Sequence, residues 1–155
     1  MTDKQEVIKK EQQLQKRSVI MKLQDSLMEY VDGENVVKGD SDVFPLKHTF
    51  TDGIYIRQMS MKKDSAVIGK IHKHNHIWFL LTGHIAVVDE RNNIEHIAPC
   101  YVEAPAGSKR VIYALEDSVW VNIHANPTNT QNLEELEGLI IAKDYDEFNE
   151  YNNKK

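Results

Sequence analysis

The chain reads as an all-β sandwich or barrel, with an α-helix before it and a short helix after it. Three observations carry this expectation. From Phe44 to Ala125, short runs rich in β-branched and aromatic residues recur at near-even spacing, each bounded by turn residues. Ahead of them, Asp3 to Val31 contains no Gly or Pro and is rich in Gln, Lys and Glu, which is a helix composition. A length of 155 residues suffices for one good core and is short for two.

The first zone, residues 1–31, is an amphipathic helix. Ile20, Leu23, Leu27 and Tyr30 form a stripe at helical spacing. Val7, Leu14, Met21 and Met28 recur every seven residues, but the second heptad position holds Glu11, Ser18 and Asp25, so a coiled-coil seam fails. The stripe predicts a helix laid either on its own domain or on a partner subunit. The second zone, residues 44–127, is the barrel. Its strand-like runs are Ile54–Met59, Ala66–His72, His76–Leu81, His84–Asp89, Ile94–Ile97, Tyr101–Glu103, Arg110–Ala114 and Ser118–His124. Turn signals separate them: Asp52-Gly53, Lys63-Asp64-Ser65, Thr82-Gly83, Asp89–Asn93, Pro105–Gly107 and Glu116-Asp117. In the third zone, residues 128–155, Asn132 and Glu135 suggest a capping box for a helix carrying Leu133 and Leu136. Gly138 is expected to end that helix, Leu139–Ala142 to return as a strand, and the acidic, Asn-rich tail from Asp144 to fray.

The chemistry-bearing run is residues 70–83. His72, His74 and His76 occupy alternate positions and lead into Trp78, Leu80 and a glycine turn at Gly83. Alternate side chains of a strand share a face, and imidazole is the commonest protein metal ligand. Geometry limits the idea. On one straight strand His72 and His76 would stand about 13 Å apart, whereas each ring on a shared ion needs about 2.1 Å to the metal. The chain must therefore bend near Lys73–Asn75, or only two of the three rings converge. His124, at the end of the last strand, is the outside candidate to complete a three-His site. His48, His84 and His96 are expected at the surface or a sheet edge. Glu134, Glu135 and Glu137 read as a solvated helix face.

Composition narrows the partners. The net charge is -5 and no Lys/Arg run is interleaved with aromatics, which argues against nucleic acid. No apolar run approaches the length that spans a bilayer, and the charged stretch Asp3–Lys22 does not match a signal peptide. The single cysteine, Cys100, allows no intrachain disulfide; this fits a reducing, cytoplasmic setting. No Gly-rich phosphate loop and no G-x-S-x-G motif is present.

The β zone, over about residues 50–125, resembles the cupin superfamily. The usual first motif there is H-x-H, three or four residues, E, six residues, G; the second is P-x-G-x-x-H. Gly83 lies seven residues after His76, so His76 takes the place of the Glu, His72 that of the second His and Lys70 that of the first. Pro105, Ala106 and Gly107 match the second motif, with Arg110 where its His would stand. Ala114–Trp120 is similar to the last cupin hairpin. A looser likeness is to stand-alone cupins of tailed-phage genomes, which would place the protein in a host cytoplasm or a virion. The resemblance implies a double-stranded β-helix, or jelly roll. In strict register the metal positions read Lys70, His72, His76 and Arg110, and Lys and Arg are poor ligands. A second register pairs His72 with His74 and keeps His76.

Two functions follow. One is a metal-dependent cupin, dioxygenase-, isomerase- or lyase-like, with Fe, Zn, Mn or Ni held by His72, His74, His76 and His124. Arg110, Lys70, Arg57 and Trp78 would then bind a small anionic substrate. Arg110 has the alternative of a salt bridge to Glu103. Trp78 and Trp120 have the alternative of the core, as do Tyr55 and Tyr113, which otherwise read as proton donors. The other function is a non-catalytic cupin that binds a ligand without metal or serves as an assembly component, attached through its N-terminal helix. Exposed sheet edges and the helix stripe predict a homo-oligomer, most simply a dimer.

Overall fold

A computed structural model describes residues 3–31, 36–37 and 42–155. The chain runs α1 (Asp3–Met28), β1 (Leu46–Thr51), β2 (Ile54–Met61), β3 (Ala66–Ile68), β4 (Ile71–His72), β5 (His76–Thr82), β6 (His84–Val88), β7 (Asn93–Ile97), β8 (Cys100–Ala104), β9 (Val111–Ala114), β10 (Ser118–Ala125), α2 (Leu133–Ile140), β11 (Ile141–Ala142) and α3 (Tyr145–Asn153). Five strands form one sheet in the order β1-β2-β10-β5-β8, and four form the facing sheet, β3-β9-β6-β7. A two-stranded sheet, β11-β4, closes one end. Every pairing is antiparallel.

Inward residues of the two large sheets make the main core: Met61, Trp78, Leu80, Ile85, Val87, Ala104, Ile112, Ala114 and Trp120. The indoles of Trp78 and Trp120 stack, with centroids 4.0 Å apart and planes 17° from parallel. Burial on this scale supplies most of the driving force for closing the sandwich. Two smaller clusters extend it: Tyr55, Leu136, Ile140 and Ile141 under α2, and Ile71, Ala142 and Phe148 under α3.

The turns follow the expected residues, and two need glycine outright. Gly83, at φ +90°, joins β5 to β6; a Cβ there would lie 2.5 Å from the Asp117 carbonyl oxygen and 2.7 Å from the Ser118 Cα. Gly107, at φ +78°, leaves room for the Phe148 ring, which a Cβ would approach to 2.6 Å. At the first, a Cβ would also meet the Ser118 hydroxyl, and even if that side chain turned away the two backbone atoms would still block it. The second seats α3 on the barrel.

The structure departs from the sequence expectations at the two ends. The expected strand Ala66–His72 is interrupted at Gly69 and Lys70. There Gly69 donates its N–H to the Arg110 carbonyl at 2.8 Å, and its own carbonyl takes the Lys109 ammonium at 2.9 Å. β1 was not anticipated. It alternates half-buried and exposed positions and pairs with β2 across Asp52-Gly53. Asn132 caps α2 by accepting from the N–H groups of Glu134 and Glu135. Glu135 turns to the Thr130 hydroxyl instead of closing the box, and the helix runs past Gly138 to Ile140. The tail from Asp144 does not fray. Asp144 caps α3 and Phe148 buries itself against Ile71 and Ala142. On α1 only Ile20 is buried; Leu23, Val7, Leu14 and Met28 are exposed, as is Tyr30 just past the helix end. Arg17 fastens the helix by reaching the buried Glu90 carboxylate at 3.2 Å and lying over the Tyr145 ring. Among the described residues no helix is long and apolar enough to cross a membrane.

Gly83→Ala forces both a left-handed alanine and a collision with the β10 backbone. We expect it to cost at least about 2 kcal/mol, read as a lower urea midpoint at unchanged slope. A midpoint within about 0.5 kcal/mol of the parent would show that the turn relaxes.

Candidate functional site

The site begins where β4 breaks into β5. After His72 the chain bends through residues 73–75 and resumes as strand at His76. Lys73 fixes the bend on one side. Its N–H donates to the Ile140 carbonyl at 2.7 Å, and its ammonium meets the Gly138 carbonyl and the Glu147 carboxylate, both at 2.8 Å. Asn75 fixes the other side by accepting the Ala106 N–H, and the His72 carbonyl accepts the Gly107 N–H, both at 2.8 Å. The bend does what a straight strand cannot: the His72 and His76 rings stand 4.1 Å apart, centroid to centroid. β10 lies beside β5 and brings in His124, at 5.1 Å from His72 and 4.9 Å from His76. All three are 5% exposed or less.

His74 does not join them. It is exposed on the outside of the bend, edge-on to Tyr151, whose hydroxyl is 3.2 Å from its Nε2. Trp78, considered for the substrate wall, belongs to the core and is 1% exposed. Arg110 is buried and donates to the Ser108 hydroxyl at 2.6 Å, with no ion pair to Glu103. Lys109 is 3% exposed, and burial together with the Lys70 charge lowers its ammonium to about 8. Tyr113 faces outward and bonds Asp64.

The electrostatics of the trio are those of neutral imidazole. Burial is the largest cause for each ring. It holds His72 well below the usual 6.5, with His76 and His124 adding to the effect. Burial and the Arg110 charge lower His76 to about 4, and burial and His76 lower His124 to about 3. Three ring nitrogens, His72 Nδ1, His72 Nε2 and His76 Nε2, are buried without a hydrogen-bond partner. Arg57 and Arg110 flank the group. Desolvation lowers both guanidiniums, and neither makes an ion pair among the described residues. A buried polar atom left unpaired is costly, so the arrangement is that of a place kept for something else.

A divalent transition metal is the group to test against these residues. Three neutral, desolvated imidazoles are the right donors. Two imidazoles on one such ion have centroids about 4.6 Å apart at a right angle and about 5.3 Å apart in a tetrahedron. The separations to His124 fall in that range; the His72–His76 separation is tighter. Among the described residues, however, no three His, Cys, Asp or Glu side chains have their donor atoms placed about one point. The chemistry of the donor set fits, and the ring orientations present here do not form a closed site.

Beside the trio lies a pocket of about 240 Å³ between the large sheet and α2. His124, Tyr55 and Arg57 are adjacent on β10 and β2 and line it. His48 was missed as a site residue. It lines the pocket, its Nδ1 is 2.7 Å from the Tyr55 hydroxyl, and its ring stacks on Tyr55. The only signal was its alternation with Phe50 and Leu46 in a segment not read as strand. Burial raises the Tyr55 phenol above its usual value. Lys70 reaches the mouth, ion-paired to Glu137 of α2.

The depressed histidines make stability depend on pH, and linkage fixes the sign. Their folded values lie below the unfolded 6.5. Between 6.5 and about 3 the unfolded chain therefore binds more protons, and stability falls as pH drops through that window. Each ring contributes a slope of up to about 1.4 kcal/mol per pH unit. Urea midpoints measured from pH 7 to 4.5 should decline, and the decline should be shallower in His124→Gln. Equal slopes in parent and variant would contradict the buried, neutral assignment.

No known protein-family model matches this chain, and neither does any curated protein. Solved structures do match. The plu4264 protein from Photorhabdus luminescens aligns over 66% of this chain and 97% of its own, at 12% identity and TM-score 0.50. A cupin superfamily protein from Desulfitobacterium hafniense aligns over 57% and 83%, at 12% identity and TM-score 0.48. A Cupin 2 conserved barrel domain protein from Salinispora arenicola aligns over 62% and 87%, at 12% identity and TM-score 0.48. At such identities the likeness concerns the fold, and the looser likeness to phage proteins gains no support from it. Two facing antiparallel sheets and an end-capping strand pair give this chain a double-stranded β-helix, or jelly-roll, fold, the fold that the cupin resemblance implied.

Proposed function

We propose that the protein is a cupin-type metal-binding protein whose barrel takes a divalent transition metal on His72, His76 and His124 and a small anion beside it. One observation carries the proposal: three buried imidazoles, ring against ring, with three unpartnered nitrogens and no acid paired to the neighbouring arginines. Three protein ligands leave positions open, and a metal bound there supplies Lewis acidity. The chain's own residues do the rest. Arg57 orients the anion in the pocket. Tyr55 keeps its proton in the hydrogen bond with His48, where burial disfavours the phenolate. Arg110 adds positive potential behind His76.

A second function is favoured by a specific feature. Arg110 stands where the second cupin motif has a histidine, and the donor atoms of the trio do not converge. The same chamber would then bind an anion without metal.

Elemental analysis of untagged protein, before and after incubation with Mn, Fe, Zn or Ni, decides between them. Near-stoichiometric metal is expected. His72→Ala and His124→Ala should each weaken binding at least about 100-fold, more than a change behind a ligand does, while His74→Ala leaves it unchanged. Protein that stays metal-free through reconstitution would leave the second function standing alone.

A further inference from the structure

From the shape and charge of the pocket we infer that the anion is a monocarboxylate carrying an apolar tail, of about the size of hexanoate. This deepens the anion-binding part of the proposed function and does not depend on the metal.

The lining of the pocket is of two kinds. Arg57 has no hydrogen bond or ion pair among the described residues and stands beside His124 and Tyr55. Leu46, Leu133, Leu136 and Ile140 present hydrocarbon, and Leu136 and Ile140 pack on Tyr55. A guanidinium forks onto two oxygens held on one planar carbon. Apolar walls reward methylenes and leave further hydroxyls or charges without partners.

Charge separates a monoanion from a dianion. The second pocket cation, Lys70, is already ion-paired to Glu137, and both line the mouth. With that pair cancelling, Arg57 is the one formal charge left over among the described lining residues other than histidine. A phosphate ester would bring a second negative charge and meet the Glu137 carboxylate. A carboxylate balances Arg57 alone.

Volume sets the length of the tail. A water-sized group takes about 30 Å³ of liquid volume, so 240 Å³ holds about eight such groups. Hexanoate has that many heavy atoms. Acetate would leave the hydrocarbon side chains uncovered, and octanoate would carry its last carbons beyond the pocket into solvent.

Calorimetric titration of chelator-treated, metal-free protein with acetate, butanoate, hexanoate, octanoate, hexanol and pentyl phosphate tests the inference. Each methylene from butanoate to hexanoate should tighten binding about threefold to fourfold, and octanoate should gain nothing further. Hexanol and pentyl phosphate should bind at least tenfold more weakly than hexanoate. Arg57→Met should lose hexanoate at least tenfold, with folding checked by circular dichroism. Arg57→Lys keeps the charge and loses the fork, so it should also weaken binding and serves if the Met variant does not fold. Binding that ignores chain length, prefers the phosphate ester or survives both Arg57 changes overturns the inference, as does no binding at all. Hexanoate bound through Arg57 in a protein that never takes metal upholds it while the metal assignment fails. Stoichiometric metal with no preference among chain lengths sinks the carboxylate alone.

Discussion

The bend at residues 73–75 is the constraint on which the rest of this site depends. A strand that continued straight from His72 would carry the next imidazole on its face far out of reach. Here Lys73, only 8% exposed, turns the chain by tying it to α2 through two carbonyls and to α3 through Glu147. A buried ammonium tolerates this position because each contact satisfies one of its donors. Removing the ammonium would leave the Gly138 carbonyl without its partner and the Glu147 carboxylate without its ion pair. The turn, the helix wall and the imidazole floor are therefore one mechanical unit.

Much of the barrel was legible because a half-buried strand has a period of two and a turn demands particular residues. The runs from His76 to Leu81, from His84 to Asp89 and from Ser118 to His124 sit almost where alternation puts them. The need for a bend near Lys73–Asn75 was legible too, from strand rise against bond length alone. What alternation could not show is which rings turn inward once the chain bends. His74 looks equivalent to its neighbours in the sequence, yet the bend sends it out to Tyr151. His48 looks isolated, yet pairing of β1 with β2 lays it against Tyr55. Trp78 shares a strand face with His76, but it is packed into the main core while His76 packs against His72 and His124. The acidic tail failed for a different reason. One well-capped turn and one phenylalanine with a glycine-made seat outweigh a polar composition.

The interior charge is unusual in sign. Most buried cations are matched by a carboxylate within contact distance, but neither Arg57 nor Arg110 has one among the described residues. Asp89 and Glu90 favour the charge of Arg110 only from farther away, and Glu90 itself is engaged by Arg17 from α1. The histidines respond in the only direction open to them and remain uncharged. Such a chamber holds positive potential without adding protons and attracts whatever negative group fits it.

The short pairing of Ile141 with His72 has one more consequence. The segment from Leu133 to Ala142 is a liner for the pocket at its helical end and a sheet neighbour of an imidazole-bearing strand at the other. The pocket wall and the strand that carries His72 are thus joined along ten residues of backbone. Swapping that helix for another, to change what the cavity accepts, would also retune the centre it faces, so a graft has to carry the strand pair with it.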